Sequence, residues 1–364
     1  MLTLASSVRA LTPAIAPAPH AEAFFGSAST ATAGHWSGVA REAVLSGDRR
    51  VVRLDGLFSP SEAAALLAAA RDTTFDEEND TVDDAATFLA PIIESGAVAP
   101  RNAALAALLA PLVDERLLPF VRERYGSPGA CVADALIRRY SPDERSGLRA
   151  HFDVTALCTC IVPLSAPDEY EGGLYVQPGA GAASREYVPF CAAGDAVFHE
   201  WDVMHGVRVE AGRRHSLVLW FAEDAACVAD GTAPWIRRAA EAGRADAQFI
   251  YADFCRAGLF GAPRDAAAAA EWYGRAAAQG SAHAQYWLGS LLVNGEGVDR
   301  DLGRAEALWR EAAAQELEAA QFALGCALRD GGLFGGGEAE GERWLRRAAE
   351  QGHEGAVEML ASGD

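Results

Sequence analysis

Residues 151–160 read HFDVTALCTC and place a histidine and an aspartate one residue apart at the start of an apolar run. If the run is a buried strand, residues i and i+2 point to the same side, so that His151 and Asp153 can reach one metal ion. The H-x-D pattern alone is a weak signal, and a third ligand has to come from elsewhere in the chain. Residues 194–221 (GDAVFHEWDVMHGVRVEAGRRHSLVLWF) offer two candidates, His199 and His205.

Two imidazoles and one carboxylate with open positions opposite them are the ligand set of non-heme Fe(II) oxygenases. Downstream, Arg214 and Ser216 begin the run RHSLVLWF and share one strand face with Val218 and Trp220. A guanidinium at the mouth of an apolar barrel requires an anion, and a planar carboxylate is its natural bidentate partner. The pattern therefore predicts a dicarboxylate that chelates iron at one end and meets Arg214 at the other, with Ser216 as a hydroxyl donor.

The surrounding sequence predicts a mixed first half. Residues 49–58 resemble a strand, and a helix is expected from Ser59, where a serine cap, Pro60 and Glu62 coincide. The acidic segment 73–84 is predicted to be an exposed loop. Residues 131–222 contain short β-branched and aromatic runs between Gly, Pro and Asp clusters, which favours a sandwich or barrel.

Within this frame, the region from about 49 to 224 resembles the prolyl 4-hydroxylase-type branch of the 2-oxoglutarate- and Fe(II)-dependent dioxygenases. The resemblance is carried by RRYSPDERSGLRAHFD, LCTCIVPLSAPDEYEGGLYV and MHGVRVEAGRRHSLVLWF. It implies a double-stranded β-helix, or jelly roll, with supporting N-terminal helices.

The same resemblance assigns roles to individual residues. His151, Asp153 and His205 would bind iron, because His205 stands nine positions before Arg214, the residue that would bind the cosubstrate. Tyr140, eleven residues before His151, is expected to donate to the cosubstrate carboxylate. His199 and His215 are expected to be packing or surface histidines.

The activity implied by the resemblance is hydroxylation of a C–H bond, coupled to the conversion of 2-oxoglutarate and O2 to succinate and carbon dioxide. The implied cofactors are Fe(II) and 2-oxoglutarate, with ascorbate as an accessory reductant. A prolyl residue of a protein or peptide is the favoured substrate, and a lysyl residue is the second. Two other hypotheses stay open: a small-molecule hydroxylase, and an interaction adaptor whose oxygenase domain is a sensor or inactive.

After residue 231 the chain repeats itself with a period of about 36 residues. AAEAG ends at Gly243, and the equivalent segments end at Gly280, Glu316 and Gly352. AQF or AQY recurs with the same step, and a third marker recurs at Gly258, Gly295 and Gly331. Each unit reads as a helix–turn–helix with an aromatic residue in its second helix: Trp272, Trp309 and Trp344. Stacked units of this kind form an α-solenoid.

Residues 235–360 resemble Sel-like repeats, which are related to tetratricopeptide repeats; residues 284–315 carry nearly the whole pattern. The resemblance implies a protein-interaction scaffold, which could hold the protein or peptide substrate. The resulting organisation is a leader or disordered segment over 1–47, a dioxygenase domain over 48–226, and an all-α solenoid of helix–turn–helix repeats over 231–364.

Composition limits the partners and the compartment. The net charge of −20 argues against nucleic-acid binding, and no apolar run approaches the ~20 residues that span a bilayer. Seven scattered cysteines favour reduced thiols in an intracellular reducing compartment. Cys158 and Cys160 are expected to be structural. The first forty residues, rich in Ala, Ser, Thr and Pro, are typical of either an organelle-targeting leader or a disordered tail.

Overall fold

A computed structural model describes residues 43–44, 51–71, 75–79, 85–190, 192–329, 333–335 and 337–362. The predicted leader falls almost entirely outside these residues, as do Gly331 and Cys191. Among the described helices, none combines the length and the apolarity needed to cross a membrane. A sheet-rich first half is followed by a helical second half.

The first half contains two antiparallel sheets. The described strands are β1 (Ala43–Val44), β2 (Val51–Leu54), β3 (Asp76–Asn79), β4 (Ala86–Glu94), β5 (Ala97–Val98), β6 (Cys131–Tyr140), β7 (Gly147–His151), β8 (Cys158–Pro163), β9 (Tyr170–Val176), β10 (Glu186–Tyr187), β11 (Ala196–Glu200), β12 (His205–Gly212) and β13 (Arg214–Ala222). Within the described residues, the larger sheet has the order β1-β2-β11-β8-β13-β6-β4-β3, with β5 beside β4. The smaller sheet has the order β10-β9-β12-β7.

The two sheets face each other across a buried apolar layer. Ile161 and Val218 of the larger sheet share one cluster with Leu174 and Val207 of the smaller sheet. Two facing antiparallel sheets whose consecutive strands alternate between the sheets form a jelly roll. The fold class predicted for this half is therefore confirmed.

Three helices cover the outer face of the larger sheet: α1 (Pro60–Arg71), α2 (Ala103–Leu112) and α3 (Leu118–Arg124). Leu66, Leu109 and Val121 of these helices pack in one cluster with Cys160 and Leu219 of the sheet. Strand β8 is thus buried on both faces, which explains why its sequence is apolar without alternation.

The two cysteines of β8 lie on the face of the strand that the helices cover. Both Cys158 and Cys160 are fully buried, and burial raises the pKa of each thiol well above its ordinary value. Every cysteine in the described part of the chain is a free thiol. A structural role for this pair agrees with these surroundings.

Helix α1 begins with the predicted capping box. The Ser59 amide donates to Glu62 Oε2 (2.7 Å), and the Glu62 amide donates to Ser59 Oγ (3.2 Å). Glu62 also accepts from Arg116 at 2.8 Å, which ties the start of α1 to the segment between α2 and α3. This contact, more than any other, lowers the pKa of Glu62 to about 2.

The acidic segment differs from its prediction. Residues 76–79 form strand β3, which pairs with β4 and places Asp76 opposite Leu89. Carboxylate-rich segments seldom form strands, but backbone pairing with an open sheet edge does not depend on the side chains. Residues 80–84 of the predicted loop lie outside the described part of the chain.

The regular elements in the described part of the second half are all helices. Its helices are α4 (Ala225–Asp230), α5 (Pro234–Glu241), α6 (Ala245–Ala257), α7 (Ala266–Ala278), α8 (Ala282–Asn294), α9 (Leu302–Ala314), α10 (Glu318–Arg329), α11 (Glu338–Glu350) and α12 (Glu354–Ser362). From α5 onward each helix packs against the next. The repeat markers fall at equivalent turns: Gly280 has φ of 89°, and Glu316 adopts the same left-handed conformation with φ of 65°. Trp309 is buried and donates to the Tyr286 carbonyl (2.9 Å).

The two halves share one apolar core. Trp201 and Ala222 of the jelly roll are buried in the same cluster as Trp235 and Ile236 of α5 and Phe249 of α6. Next to this cluster, Arg244 pairs with Glu200 (3.1 Å) and with Asp202, and its guanidinium lies 5.0 Å from the centre of the Trp201 ring. The solenoid is therefore packed onto the jelly roll as well as linked to it.

The capping box provides a test of this architecture. Because its contacts hold the pKa of Glu62 at about 2 instead of 4.5, they stabilise the fold above pH ~4.5 and lose effect as the pH falls towards 2. We expect Glu62→Gln to lower the free energy of unfolding by about 1 kcal/mol at pH 7, and by less at pH 3, in urea titrations. The exposed Glu123 of α3 is the control, and Glu123→Gln should match the wild type at both pH values. A Glu62→Gln effect that persists undiminished in acid would contradict the assignment.

Candidate metal centre and acid-binding pocket

His151 and His205 meet because they end neighbouring strands of the smaller sheet. His151 is the last residue of β7, His205 is the first residue of β12, and the two stand opposite each other in the antiparallel register. Their ring centroids are 4.4 Å apart. The register brings together two residues that are more than fifty positions apart in the sequence.

Asp153 reaches the same point from a turn. The expectation that His151 and Asp153 lie on one strand is wrong, because β7 ends at His151 and the chain turns over 154–155 before β8. The Ala156 amide donates to the Asp153 carbonyl (3.0 Å) and closes this turn. The side chains nevertheless converge: His151 Nε2 lies 3.5 Å from Asp153 Oδ1, and His205 Nε2 lies 3.5 Å from Asp153 Oδ2.

One donor atom from each of these three residues lies within 4.8 Å of the other two, close enough to hold one metal ion. The ring orientations suit this purpose. His151 Nδ1 is 2.9 Å from the Arg149 carbonyl, and His205 Nδ1 is 3.0 Å from the Val203 carbonyl. A carbonyl only accepts, so each Nδ1 carries the proton and leaves the Nε2 lone pair facing Asp153.

The charge states also suit a metal ion. Burial alone would raise the pKa of Asp153, but the adjacent His205 and His151 outweigh it and hold this pKa well below its ordinary value. Burial lowers the pKa of His205 well below its usual range. An ionised carboxylate and a neutral imidazole are the forms that bind metal ions. Although burial opposes it, the hydrogen bond to Asp153 raises the pKa of His151, so a proton competes with a metal ion for His151 Nε2.

Two residues that sequence reasoning did not select surround Asp153. Thr159 donates from Oγ1 to Asp153 Oδ2 at 2.6 Å. His199 Nε2 lies 3.8 Å from the same oxygen, and the His199 side chain is 1% exposed, which excludes a surface role. Only the pairing of β8 with β11 could have indicated both residues, because Thr159 and His199 stand opposite each other in that register. His215, by contrast, is buried away from the centre beside Ser165 (3.3 Å).

A pocket connects this centre to the predicted acid-binding residues. Its lining comes from both sheets and comprises Arg138, Tyr140, Leu148, His151, Asp153, Thr159, Ile161, His205, Val207, Arg214, Ser216, Val218 and Trp220. The four residues of β13 that were expected to share one face all line it. Tyr140, which pairs with Arg214 in the β6–β13 register, lines it as well.

Arg214 is fully buried at this pocket. Its Nε and Nη2 atoms form no hydrogen bond with any described residue, and no described carboxylate pairs with it. Its guanidinium carbon lies 5.7 Å from the Tyr170 ring centre and 6.0 Å from that of Phe190. Ser216 Oγ is likewise buried without a partner among the described residues. An unpaired buried cation is costly, so the pocket is built for an anion.

A second guanidinium, that of Arg138, was not anticipated. Arg138 Nη1 donates to the Tyr140 hydroxyl at 3.5 Å, and its guanidinium carbon lies 5.9 Å from the Trp220 ring centre. Arg138 precedes Tyr140 by two residues on β6, so the spacing alone could have placed both in the pocket.

The solenoid packs against the back of the metal centre. Phe152 lies between His151 and Asp153 in the sequence, and its ring centroid is 6.4 Å from that of Phe249 and 6.3 Å from that of His283. Burial lowers the pKa of His283 to about 4, so this ring is neutral at pH 7. The segment that carries two candidate ligands is thus held by the first two repeats.

Comparisons with known proteins agree with this division of the chain. Residues 245–281, 282–317 and 318–353 each match the Sel1 repeat family. These matches confirm the Sel-like repeats predicted for residues 235–360 over residues 245–353. No curated protein matches this chain.

Solved structures are similar to each half separately. A Sel1 repeat protein from Oxalobacter formigenes is 30% identical, with 35% of this chain covering 52% of that chain and a TM-score of 0.34. A 2OG-Fe(II) oxygenase family oxidoreductase from Burkholderia pseudomallei is 20% identical, with 48% of this chain covering 85% of that chain and a TM-score of 0.39. HygX from Streptomyces hygroscopicus, solved with nickel and 2-oxoglutarate, is 17% identical (48% and 82% covered, TM-score 0.36). The chain spans about half of the length of the Oxalobacter protein.

Arg214 provides a direct test of the pocket. We expect Arg214→Met to melt no lower than the wild type without ligand, because it removes an unpaired buried charge. With Ni(II) present, the variant should bind 2-oxoglutarate about 100-fold more weakly, since charge-assisted hydrogen bonds are lost. Thermal shift and calorimetry measure both effects. Arg213→Met is the matched control, because Arg213 is adjacent but exposed. Equal 2-oxoglutarate affinity in both variants would exclude Arg214 as the anchor.

Proposed function

We propose that this protein is a 2-oxoglutarate- and Fe(II)-dependent dioxygenase that hydroxylates a C–H bond. One observation carries the proposal: the pocket that is lined by His151, Asp153 and His205 is also lined by the buried, unpaired guanidinium of Arg214. A metal ion alone would not require the arginine, and an anion alone would not require the histidines.

The residues fit both groups that the proposal requires. Two imidazoles and one carboxylate suit ferrous iron and leave open coordination positions. The unpartnered nitrogens of Arg214 and the unpartnered hydroxyl of Ser216 suit a carboxylate. When bound, iron with 2-oxoglutarate and O2 supplies the oxidising power for hydroxylation, with succinate and carbon dioxide as co-products.

The chain itself holds and orients these groups. His151, Asp153 and His205 would hold the iron, and Thr159 fixes the Asp153 carboxylate by donating to Oδ2. Arg214 would bind the distal carboxylate of 2-oxoglutarate, with Ser216 as a further donor. The Tyr140 hydroxyl, held by Arg138, is the remaining donor proposed for the cosubstrate.

For the substrate, we propose a prolyl residue of a protein or peptide, with a lysyl residue as the second choice. Sel1 repeats are protein-interaction modules. Here they pack directly behind the segment that carries His151 and Asp153, through Phe152. A polypeptide held by the repeats would therefore be close to the site. Ascorbate is proposed as the accessory reductant.

The alternative functions need a test other than truncation. Deleting residues 231–364 would expose Trp201 and Ala222, which share a core with α5 and α6. Loss of activity after truncation would then report unfolding rather than lost recruitment. Full-length variants separate a small-molecule hydroxylase or an inactive adaptor from the proposed enzyme.

Succinate formation tests the reaction class. Purified full-length protein with Fe(II), ascorbate and 2-oxoglutarate is expected to release succinate, and His151→Ala should reduce the rate at least 100-fold because one ligand is lost. His353 lies between α11 and α12, outside the centre, and the control variant His353→Ala should behave as the wild type. Equal succinate release by the wild type and His151→Ala would remove the enzyme proposal and favour the adaptor.

Mass spectrometry tests the substrate class. In the same reaction with a library of peptides, we expect one oxygen atom to be added at proline in a subset of peptides, matched by one succinate for each modification. Fragment spectra locate the oxygen, and His151→Ala provides the background. Oxygen found at lysine would select the second substrate choice. Succinate that rises only with added small molecules, and never with peptides, would favour the small-molecule hydroxylase.

A further inference from the structure

His199 is a buried histidine whose Nε2 atom has no hydrogen-bond partner among the described residues. It lies on β11 opposite Thr159 of β8, in a register that turns both side chains towards the inside of the jelly roll. Its Nε2 atom is buried and makes no hydrogen bond with any described residue. A buried nitrogen without a hydrogen bond destabilises the fold, whereas an apolar side chain at this position would avoid that cost.

The ring of His199 is oriented in the same way as those of the two other histidines. His199 Nδ1 lies 3.1 Å from the Glu200 carbonyl, so Nδ1 carries the proton and Nε2 presents a lone pair. His151 and His205 are fixed by the same kind of contact, to the Arg149 and Val203 carbonyls. Three imidazoles are thus each held by Nδ1, with Nε2 free to face inward.

All three Nε2 atoms face the Asp153 carboxylate. The distances from Nε2 to the nearer carboxylate oxygen are 3.5 Å for His151, 3.8 Å for His199 and 3.5 Å for His205. A cation placed between these nitrogens and the carboxylate would satisfy all of them at once. The His199 and His205 rings are also in contact, with centroids 4.0 Å apart, so one cation can serve both.

We propose that His199 is a third imidazole ligand, so that the centre without cosubstrate has three imidazoles and one carboxylate. This inference rests on the proposed metal centre but not on its proposed activity. Because His199 lies outside the set of atoms that are within 4.8 Å of one another, it can bind the ion only if its side chain moves inward. A third imidazole favours nitrogen-preferring ions such as Ni(II) and Cu(II) over Mn(II).

The test counts nitrogen ligands instead of measuring turnover. Metal-free full-length protein is loaded with one equivalent of Cu(II) in the absence of 2-oxoglutarate, and electron paramagnetic resonance resolves the coupling to bound nitrogens. We expect three imidazole nitrogens in the wild type and two in His199→Gln. His215→Gln, a buried histidine of the same half outside the centre, should retain three.

Affinity gives an independent measure. By calorimetry, His199→Gln is expected to bind Ni(II) roughly 10–100-fold more weakly and Mn(II) with little change, while the melting temperature of the metal-free protein does not fall.

Two nitrogens in the wild type would overturn the inference even if no variant folds, and would leave the His151–Asp153–His205 centre intact. A His199→Gln protein with unchanged nitrogen count and only a lower melting temperature would also overturn it, in favour of a packing role. If the spectrum shows no coupling between Cu(II) and any imidazole nitrogen, the metal centre itself is refuted, and with it the proposed function.

Discussion

The buried carboxylate of Asp153 is the group on which the geometry of the site depends. Thr159 fixes one of its oxygens, and the imidazoles of His151 and His205 approach it from two strand ends with their outer nitrogens tied to backbone carbonyls. The carboxylate is ionised because the adjacent histidines hold its pKa down although it is largely buried. The jelly roll contributes the register that makes these residues meet, and β13 contributes Arg214 to the same pocket.

Much of this site could be predicted from the sequence, because the spacing of residues on strands is regular. The shared face of Arg214 and Ser216 follows from strand periodicity. His205 was selected because of its nine-residue spacing to Arg214 in the family resemblance. The position of Asp153 was predicted for the wrong reason, since a turn and not a strand presents it. Thr159 was missed, and His199 was considered as a ligand but assigned a packing or surface role, because the positions of both depend on which strands are neighbours. No single segment of the sequence determines strand order.

The fold, like the site, could be predicted where the sequence signal is local and not where it depends on contacts between distant segments. The capping box at Ser59 and the 36-residue period are local signals, and both agree with the structure. Strand β3 was not predicted, because its acidic sequence favours a loop. Its backbone nevertheless pairs with the open edge of β4. The contact of Phe152 with Phe249 and His283 had no sequence signal at all, because it joins two halves whose patterns are independent.

The core that Trp201 and Ala222 share with α5 and α6 has a consequence for engineering this chain. The Sel1 repeats cannot be removed or exchanged as an independent module. A chimera that exchanges the repeats for those of another protein must retain α5 to α8 with the jelly roll, because Phe249 of α6 and His283 of α8 both pack on Phe152. The new units would join after Gly295, where the left-handed backbone ends α8. A join at residue 231, where the sequence pattern changes, would cut through packed side chains instead of between two independent modules.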